Sequence, residues 1–187
     1  SGPGIGKTDG VGQSVMAEAV MLREPVGMTP FMLATISGVD VRGFMIPQKS
    51  PTGGLSTVFS TPPWFPTIDN TWVAMPDGRW LRPGTAQAVP RVGVLFLDEF
   101  GQADDEVKKP AAELLYNGRV GTCELPLGWR VVAAGNRMSD RSGVVRELMF
   151  LVNRRCLLQI EPHLQSWLAY QDSLGAEKRT HFITLSF

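Results

Sequence analysis

At 187 residues, 43% of them hydrophobic, the chain is long enough for one domain with a sizeable core, or for one domain and the start of a second. Its 18 basic and 18 acidic side chains cancel, which argues against a domain held to nucleic acid mainly through the phosphate backbone. Two cysteines (Cys123, Cys156) and two histidines (His163, His181) are too few and too scattered for a metal-ligand pattern. They read as reduced packing thiols and as surface or satisfied imidazoles. No apolar run approaches the ~20 residues of a membrane span, and no secretory signal is visible, so a cytoplasmic protein without a membrane partner is expected. Residue 1 is Ser and lies inside a glycine-rich motif, which reads as a fragment or a processed chain.

In chain order, GKTDGVGQSVMAEAVML (6–22) sets Val11, Val15, Ala19 and Leu22 on one face of a helix, with Gly10 and Gly12 weakening its first turns. REPVGMTP reads as a break through Pro25, Gly27 and Pro30, and FMLATIS (31–37) as a short buried strand. From Gly38 to Pro90 the chain is rich in Pro, Gly and Thr and reads as long irregular structure, with a hairpin in TWVAMPDGRWLRPG turning on Asp77-Gly78. The stretch 44–90 is taken as an insert. Its Trp64, Trp72, Trp80, Phe59 and Phe65 either pin it onto the domain or meet a partner or a threaded substrate.

VGVLFLDEF (92–100) is a continuous apolar strand ending in two acids. ADDEVKKPAAELLYNG follows as a helix with Asp104 and Asp105 in its first turn and Gly118 at its stop, and Pro110 is expected to kink it or delay its start. GWRVVAAGN (128–136) is another apolar strand. SGVVRELMFLVN (142–153) reads as a helix, CLLQI (156–160) as a strand, and PHLQSWLAYQDSLG (162–175) as a helix opened by Pro162. Strands alternating with helices imply an α/β fold with a mostly parallel sheet covered on both faces.

The residues that carry chemistry lie at the ends of these elements. SGPGIGKT (1–8) matches the end of the phosphate-loop pattern G-x-x-x-x-G-K-[ST] at Gly6, Lys7 and Thr8, with Ser1 where the first glycine belongs. In such a loop, backbone N–H groups and a helix N-terminus collect phosphate oxygens, the Lys pairs the outer phosphates and the Thr hydroxyl binds Mg²⁺. The plainer reading is a glycine-rich helix entry. About 90 residues on, Asp98 and Glu99 end a buried strand, where open α/β sheets bind ligands. There an Asp holds Mg²⁺ through water and a neighbouring Glu polarises an attacking water, or the pair only caps the next helix. Asn136 is placed to orient water or touch a γ-phosphate, or is a turn residue. Arg154 and Arg155 are placed to reach a neighbouring subunit's phosphate, or form a solvated pair at a helix end.

In that order and spacing these elements resemble an AAA+ ATPase. GPGIGKT is similar to Walker A, VLFLDE to Walker B, AAGN to sensor 1, and RRC to the arginine-finger segment. Closer resemblance is to the MoxR-like branch with its phage and prophage relatives. It is carried by DVRGF (40–44), LFLDEFGQADDEVKKPAAELLYNGRVG (95–121), LPLGWRVVAAGNRMSDR (125–141) and LVNRRCLLQIEPHLQSWLAY (151–170). The resemblance implies a three-layer P-loop NTPase core over 1–161 and the start of a lid at 162–187, with strand order 5-1-4-3-2 and the first strand missing. It implies ATP and Mg²⁺ held by Gly2, Pro3, Gly4, Ile5, Gly6, Lys7, Thr8 and Asp98, with Thr8 and Asp98 at the metal. Glu99 would activate water, Asn136 would be sensor 1, and Arg155 would be the finger, with Arg154 the second choice. It implies a ring of identical subunits, usually a hexamer, that spends ATP on remodelling a protein partner. A nucleic-acid motor or loader and an inactive nucleotide-binding fragment are the alternatives.

Overall fold

Strand β6 (Val92–Asp98) is apolar at nearly every position because both of its faces are buried. Val94 and Phe96 point to one side of the sheet, Leu95 and Leu97 to the other, and each side carries its own core. The computed structural model describes residues 6–51, 53–135, 156, 158, 160 and 163–173. The chain forms two compact units, Ser1–Leu157 and Leu158–Phe187.

The first unit is mixed α/β. Its sheet has the order β5-β4-β1-β6-β9, in which β1 (Val26–Met32), β6 and β9 (Trp129–Ala133) are parallel. The short strands β4 (Trp72–Ala74) and β5 (Trp80–Leu81) extend it antiparallel, so the sheet is mixed at one edge. Helix α1 (Lys7–Leu22) covers one face, burying Val15 and Ala19 against Val26, Met28, Val94 and Phe96. The expected face is right at Val15 and Ala19, with Val11 partly buried, but Leu22 is exposed at the helix end. Helices α2 (Gly38–Arg42) and α3 (Asp105–Asn117) cover the other face, together with Trp64, which is wholly buried and donates its Nε1–H to the Val41 carbonyl at 2.7 Å. The remaining strands form two small ribbons, β2 (Met45–Lys49) with β3 (Leu55–Phe59) and β7 (Arg119–Val120) with β8 (Cys123–Glu124).

Four expectations are corrected. The strand placed at 31–37 begins instead at Val26, inside the stretch read as a break, and Leu33–Thr35 is a 3-10 turn. Pro30 is tolerated because β4 pairs only as far as Met28, so at Pro30 the strand has a neighbour on one side. The segment 38–90 is not irregular throughout. The hairpin on Asp77-Gly78 is present as β4–β5, but it belongs to the main sheet, and α2 and the β2–β3 ribbon precede it. Helix α3 runs through Pro110 without a late start, and Asp104 stands at its N-cap rather than in its first turn. Burial of Val107, Ala111 and Leu114 on the core side offsets the single backbone bond that Pro110 cannot make. Of the proposed strand 156–160, the described Cys156, Leu158 and Ile160 lie in no strand. The helix proposed at 142–153 falls outside the described residues.

Within the second unit, α4 (Leu164–Ser173) forms inside the stretch expected to be helical. Its entry is fixed by the His163 imidazole Nδ1, which accepts the Ser166 N–H at 3.3 Å. In the first unit the Ser37–Asp40 capping box opens α2, and the Ser37 N–H and hydroxyl hold the Asp40 carboxyl below the usual carboxylate range. Its contribution is therefore present above the ordinary Asp value and lost as pH falls through the lowered one. Burial pushes the Cys123 thiol up, which keeps it protonated beside the core. Among the described residues no helix is long and apolar enough to cross a membrane.

One row of residues fixes the parallel register. Gly27, Gly93 and Trp129 are successive partners across β1, β6 and β9. The Trp129 ring lies over both glycines: a Cβ added at Gly93 would stand 2.5 Å from it, and one at Gly27 2.7 Å. Its Nε1–H donates to the Pro90 carbonyl at 3.0 Å. Gly93→Ala is accordingly expected to lower stability by about 2–3 kcal/mol, through forced displacement of a ring bonded at its far end. A urea midpoint within experimental error of wild type would show that the ring has room to move aside.

Candidate functional site

The N-terminus of α1 stands at the carboxyl end of β6, and four side-chain and backbone groups meet there. Gly6 caps the helix in the left-handed region (φ 75°), a conformation that glycine adopts without cost, and its carbonyl accepts the Gly10 N–H at 2.9 Å. Thr8, in the first turn, donates its hydroxyl to Asp98 Oδ2 at 2.8 Å. Lys7 donates its Nζ to the Gly135 carbonyl, just past β9, at 3.3 Å. The site thus joins residues about 90 and 128 positions apart in sequence.

The end of β6 is shaped by its own backbone. Asp98 Oδ1 accepts the Glu99 N–H at 2.9 Å, and Glu99 itself is left-handed (φ 56°, ψ 32°), a region that costs a non-glycine residue about 1 kcal/mol. The turn continues with the Phe100 N–H donated to the Ala134 carbonyl at 2.8 Å, while the Ala134 N–H returns to Leu97 at 2.8 Å. These two bonds carry the β6–β9 pairing past the strand ends. They bring Gly135 so close to the turn that a Cβ there would lie 3.0 Å from the Gly101 nitrogen.

No protein-family model matches the chain, and a search of curated proteins returns no match.

What the arrangement can do therefore follows from its groups. A helix N-terminus and an ammonium attract an anion, while a hydroxyl and a carboxylate 2.8 Å apart offer hard oxygen ligands on the same side. That set suits Mg²⁺, which takes one or two protein oxygens and completes its shell with waters and phosphate oxygens. It does not suit a closed structural metal site, and among the described residues no group of three His, Cys, Asp or Glu side chains comes together.

Of the residues singled out in the sequence, Gly6, Lys7, Thr8, Asp98 and Glu99 are gathered at this one end of the sheet. Gly2, Pro3, Gly4, Ile5, Asn136, Arg154 and Arg155 lie outside the described residues. Sequence reasoning did not single out Gly135, although a glycine between a strand and Asn136 is the available signal for a close backbone approach. It also treated Glu99 only as a side chain, because nothing local announces a left-handed Glu.

Glu99→Gly is expected to raise the unfolding free energy by roughly 0.5–1 kcal/mol, since glycine adopts the left-handed turn freely but loses more chain entropy on folding. Glu99→Gln, with the same backbone demand, is expected to leave stability within about 0.3 kcal/mol of wild type. Chemical denaturation of both variants reads this directly, and a destabilised Glu99→Gly protein would show that the carboxylate itself holds the turn.

Proposed function

We propose that the chain is the nucleotide-binding core of a P-loop ATPase of the AAA+ class, MoxR-like in kind, which binds ATP with Mg²⁺ at the α1 N-terminus and hydrolyses it. The observation that carries this reading is the bond from Thr8 to Asp98, with Lys7 beside it on Gly135. Packing of Val15 and Ala19 brings the helix N-terminus to this end of β6, but it does not require that the residues meeting there be a Lys-Thr pair and an Asp. Support also comes from the parallel order β1-β6-β9, which is that of strands 2, 3 and 4 in the 5-1-4-3-2 sheet.

In this reading the backbone N–H groups at the α1 N-terminus and the Lys7 ammonium bind the outer phosphate oxygens. Thr8 and Asp98 hold the metal, which supplies charge neutralisation at the phosphates when bound. Glu99, fixed by its turn beside Asp98, accepts the proton of the attacking water. Asn136, next to Gly135, orients that water, and Arg155, or Arg154 in its place, acts on the site of a neighbouring subunit in a ring. Turnover is coupled to remodelling of a protein partner.

Titration calorimetry with ATP and Mg²⁺ tests the reading. Saturable binding is expected for wild type and a loss of at least tenfold in affinity for Lys7→Ala. Glu99→Gln is expected to keep that binding while steady-state hydrolysis falls at least tenfold. Equal binding by Lys7→Ala, or unchanged turnover in Glu99→Gln, would remove these residues from the roles assigned to them.

A further inference from the structure

The ribbon formed by β2 and β3 projects with all ten of its strand residues exposed. Its base is nonetheless rigidly made. The Ser60 N–H donates to the Phe44 carbonyl at 2.7 Å, and the Phe44 N–H donates to Ser60 Oγ at 2.8 Å. Gly43 turns into the ribbon at φ +83° with its Cα against the Ser60 carbonyl, where no side chain fits. At the tip the Ser50 N–H donates to Gly54 at 2.7 Å. An isolated two-stranded ribbon is marginal in water, so one held this firmly and left uncovered calls for a third strand or a partner.

The ladder shows which edge is open. Bonded pairs at Phe44–Ser60 and Ser50–Gly54 fix the alternation, so Ile46–Val58 and Gln48–Ser56 are also bonded pairs. Met45–Phe59, Pro47–Thr57 and Lys49–Leu55 are the non-bonded pairs, whose backbone groups point away from the ribbon. On the β2 side the middle residue of these three is Pro47, which has no N–H, and that edge is blocked. On the β3 side Leu55, Thr57 and Phe59 present three N–H and three carbonyl groups that have no backbone partner among the described residues. Their side chains share a face with Met45, and Leu55 is 81% and Met45 70% exposed. Lys49 is the one ionisable side chain from Phe44 to Ser60, so the open edge lacks the charges that usually guard such a row.

We infer that the free edge of β3 is a strand-addition site for an extended, largely uncharged polypeptide segment. The edge dictates the occupant. Its unpaired groups recur every second residue, a spacing matched by extended backbone, and the flanking Leu55 and Phe59 favour apolar residues at alternate positions of the incoming segment. Folded partners are poorly served, because the apolar side chains divide between the two faces: Ile46 and Val58 on one, Met45, Leu55 and Phe59 on the other.

The test uses a fluorescein-labelled octapeptide of alternating Thr and Val, followed by anisotropy against the whole chain without nucleotide. Saturable binding is expected. Thr57→Pro places a proline at a non-bonded pair, mirroring Pro47, so it removes an outward N–H while leaving the ribbon's own ladder intact, and binding is expected to weaken at least tenfold. A peptide N-methylated at two adjacent central residues, which blocks both of its edges, is expected to bind wild type at least tenfold more weakly, and this arm does not depend on any variant folding. Equal binding of the N-methylated peptide, or of the octapeptide to a Thr57→Pro protein with an unchanged circular dichroism spectrum, overturns the inference. So does a concentration-dependent dimer lost in Thr57→Pro without any peptide binding, which would make a second copy the occupant. Lys7→Ala is expected to bind the octapeptide as wild type does, so failure here leaves the nucleotide reading untouched.

Discussion

The register of three parallel strands is the constraint on which the rest of the molecule depends, and a single aromatic ring holds it. Trp129 lies across Gly93 and Gly27, its partners in one row of the sheet. Slippage by one residue would bring a valine or methionine beneath the ring, where even a lone Cβ has no room. The row is at the amino end of the strands, yet its effect is felt at the other. A slip of one residue moves a strand by about 3.3 Å, more than the Thr8–Asp98 bond is long. The end-stitching bonds from Phe100 to Ala134 and from Ala134 to Leu97 depend on the same alignment.

Packing, not charge, sets the height of α1 on that frame. Val15 and Ala19 are buried against β1 and β6, and removal of such contacts typically costs 1–3 kcal/mol each. The ion pairs of Arg130 with Glu18 and Arg91 with Glu24 also tie α1 and its exit to the sheet, but their arginines are largely exposed and such pairs contribute about 0–1 kcal/mol. The helix N-terminus therefore reaches the carboxyl end of β6 because the middle of the helix is anchored.

Much of this was legible in the sequence, and what was not has a physical reason. The β6 strand, α3 with its Gly118 stop, and the convergence of Lys7 and Thr8 with Asp98 rest on strong local signals: a long apolar run, a capping glycine, a helix-opening motif. The start of β1 was hidden because Gly27 and Pro30 punctuate it, and both are explained only by neighbours. Gly27 makes room for Trp129, which is 102 positions away, and Pro30 lies past the end of β4. The β2–β3 ribbon was hidden for a different reason: with both faces exposed, it carries no clean alternation of apolar and polar residues. Trp64 read as a clasp or, second to that, as a contact for a partner, and its complete burial beside Val41 makes it a clasp.

At the candidate site, preorganisation is uneven between the two oxygens of one carboxylate. Asp98 Oδ1 is engaged by the Glu99 N–H, a bond within the strained turn that points along the backbone. Oδ2 is engaged by the Thr8 hydroxyl. A metal at this end of the sheet would find the Thr8 hydroxyl and Asp98 already joined by a charge-assisted bond worth about 1.5–3 kcal/mol, with lone pairs of the hydroxyl oxygen left for the ion. The Glu99 bond is not in the way. It helps to fix the carboxylate plane, and it couples the left-handed turn at Glu99 to the same side chain. Backbone strain of this kind is retained only where the surrounding structure over-determines it, and here the two stitching bonds to β9 do so. The carboxylate that would bind metal and the backbone that would orient a base are thus one mechanical unit, held from the β9 side by the stitching bonds and from the α1 side by Thr8.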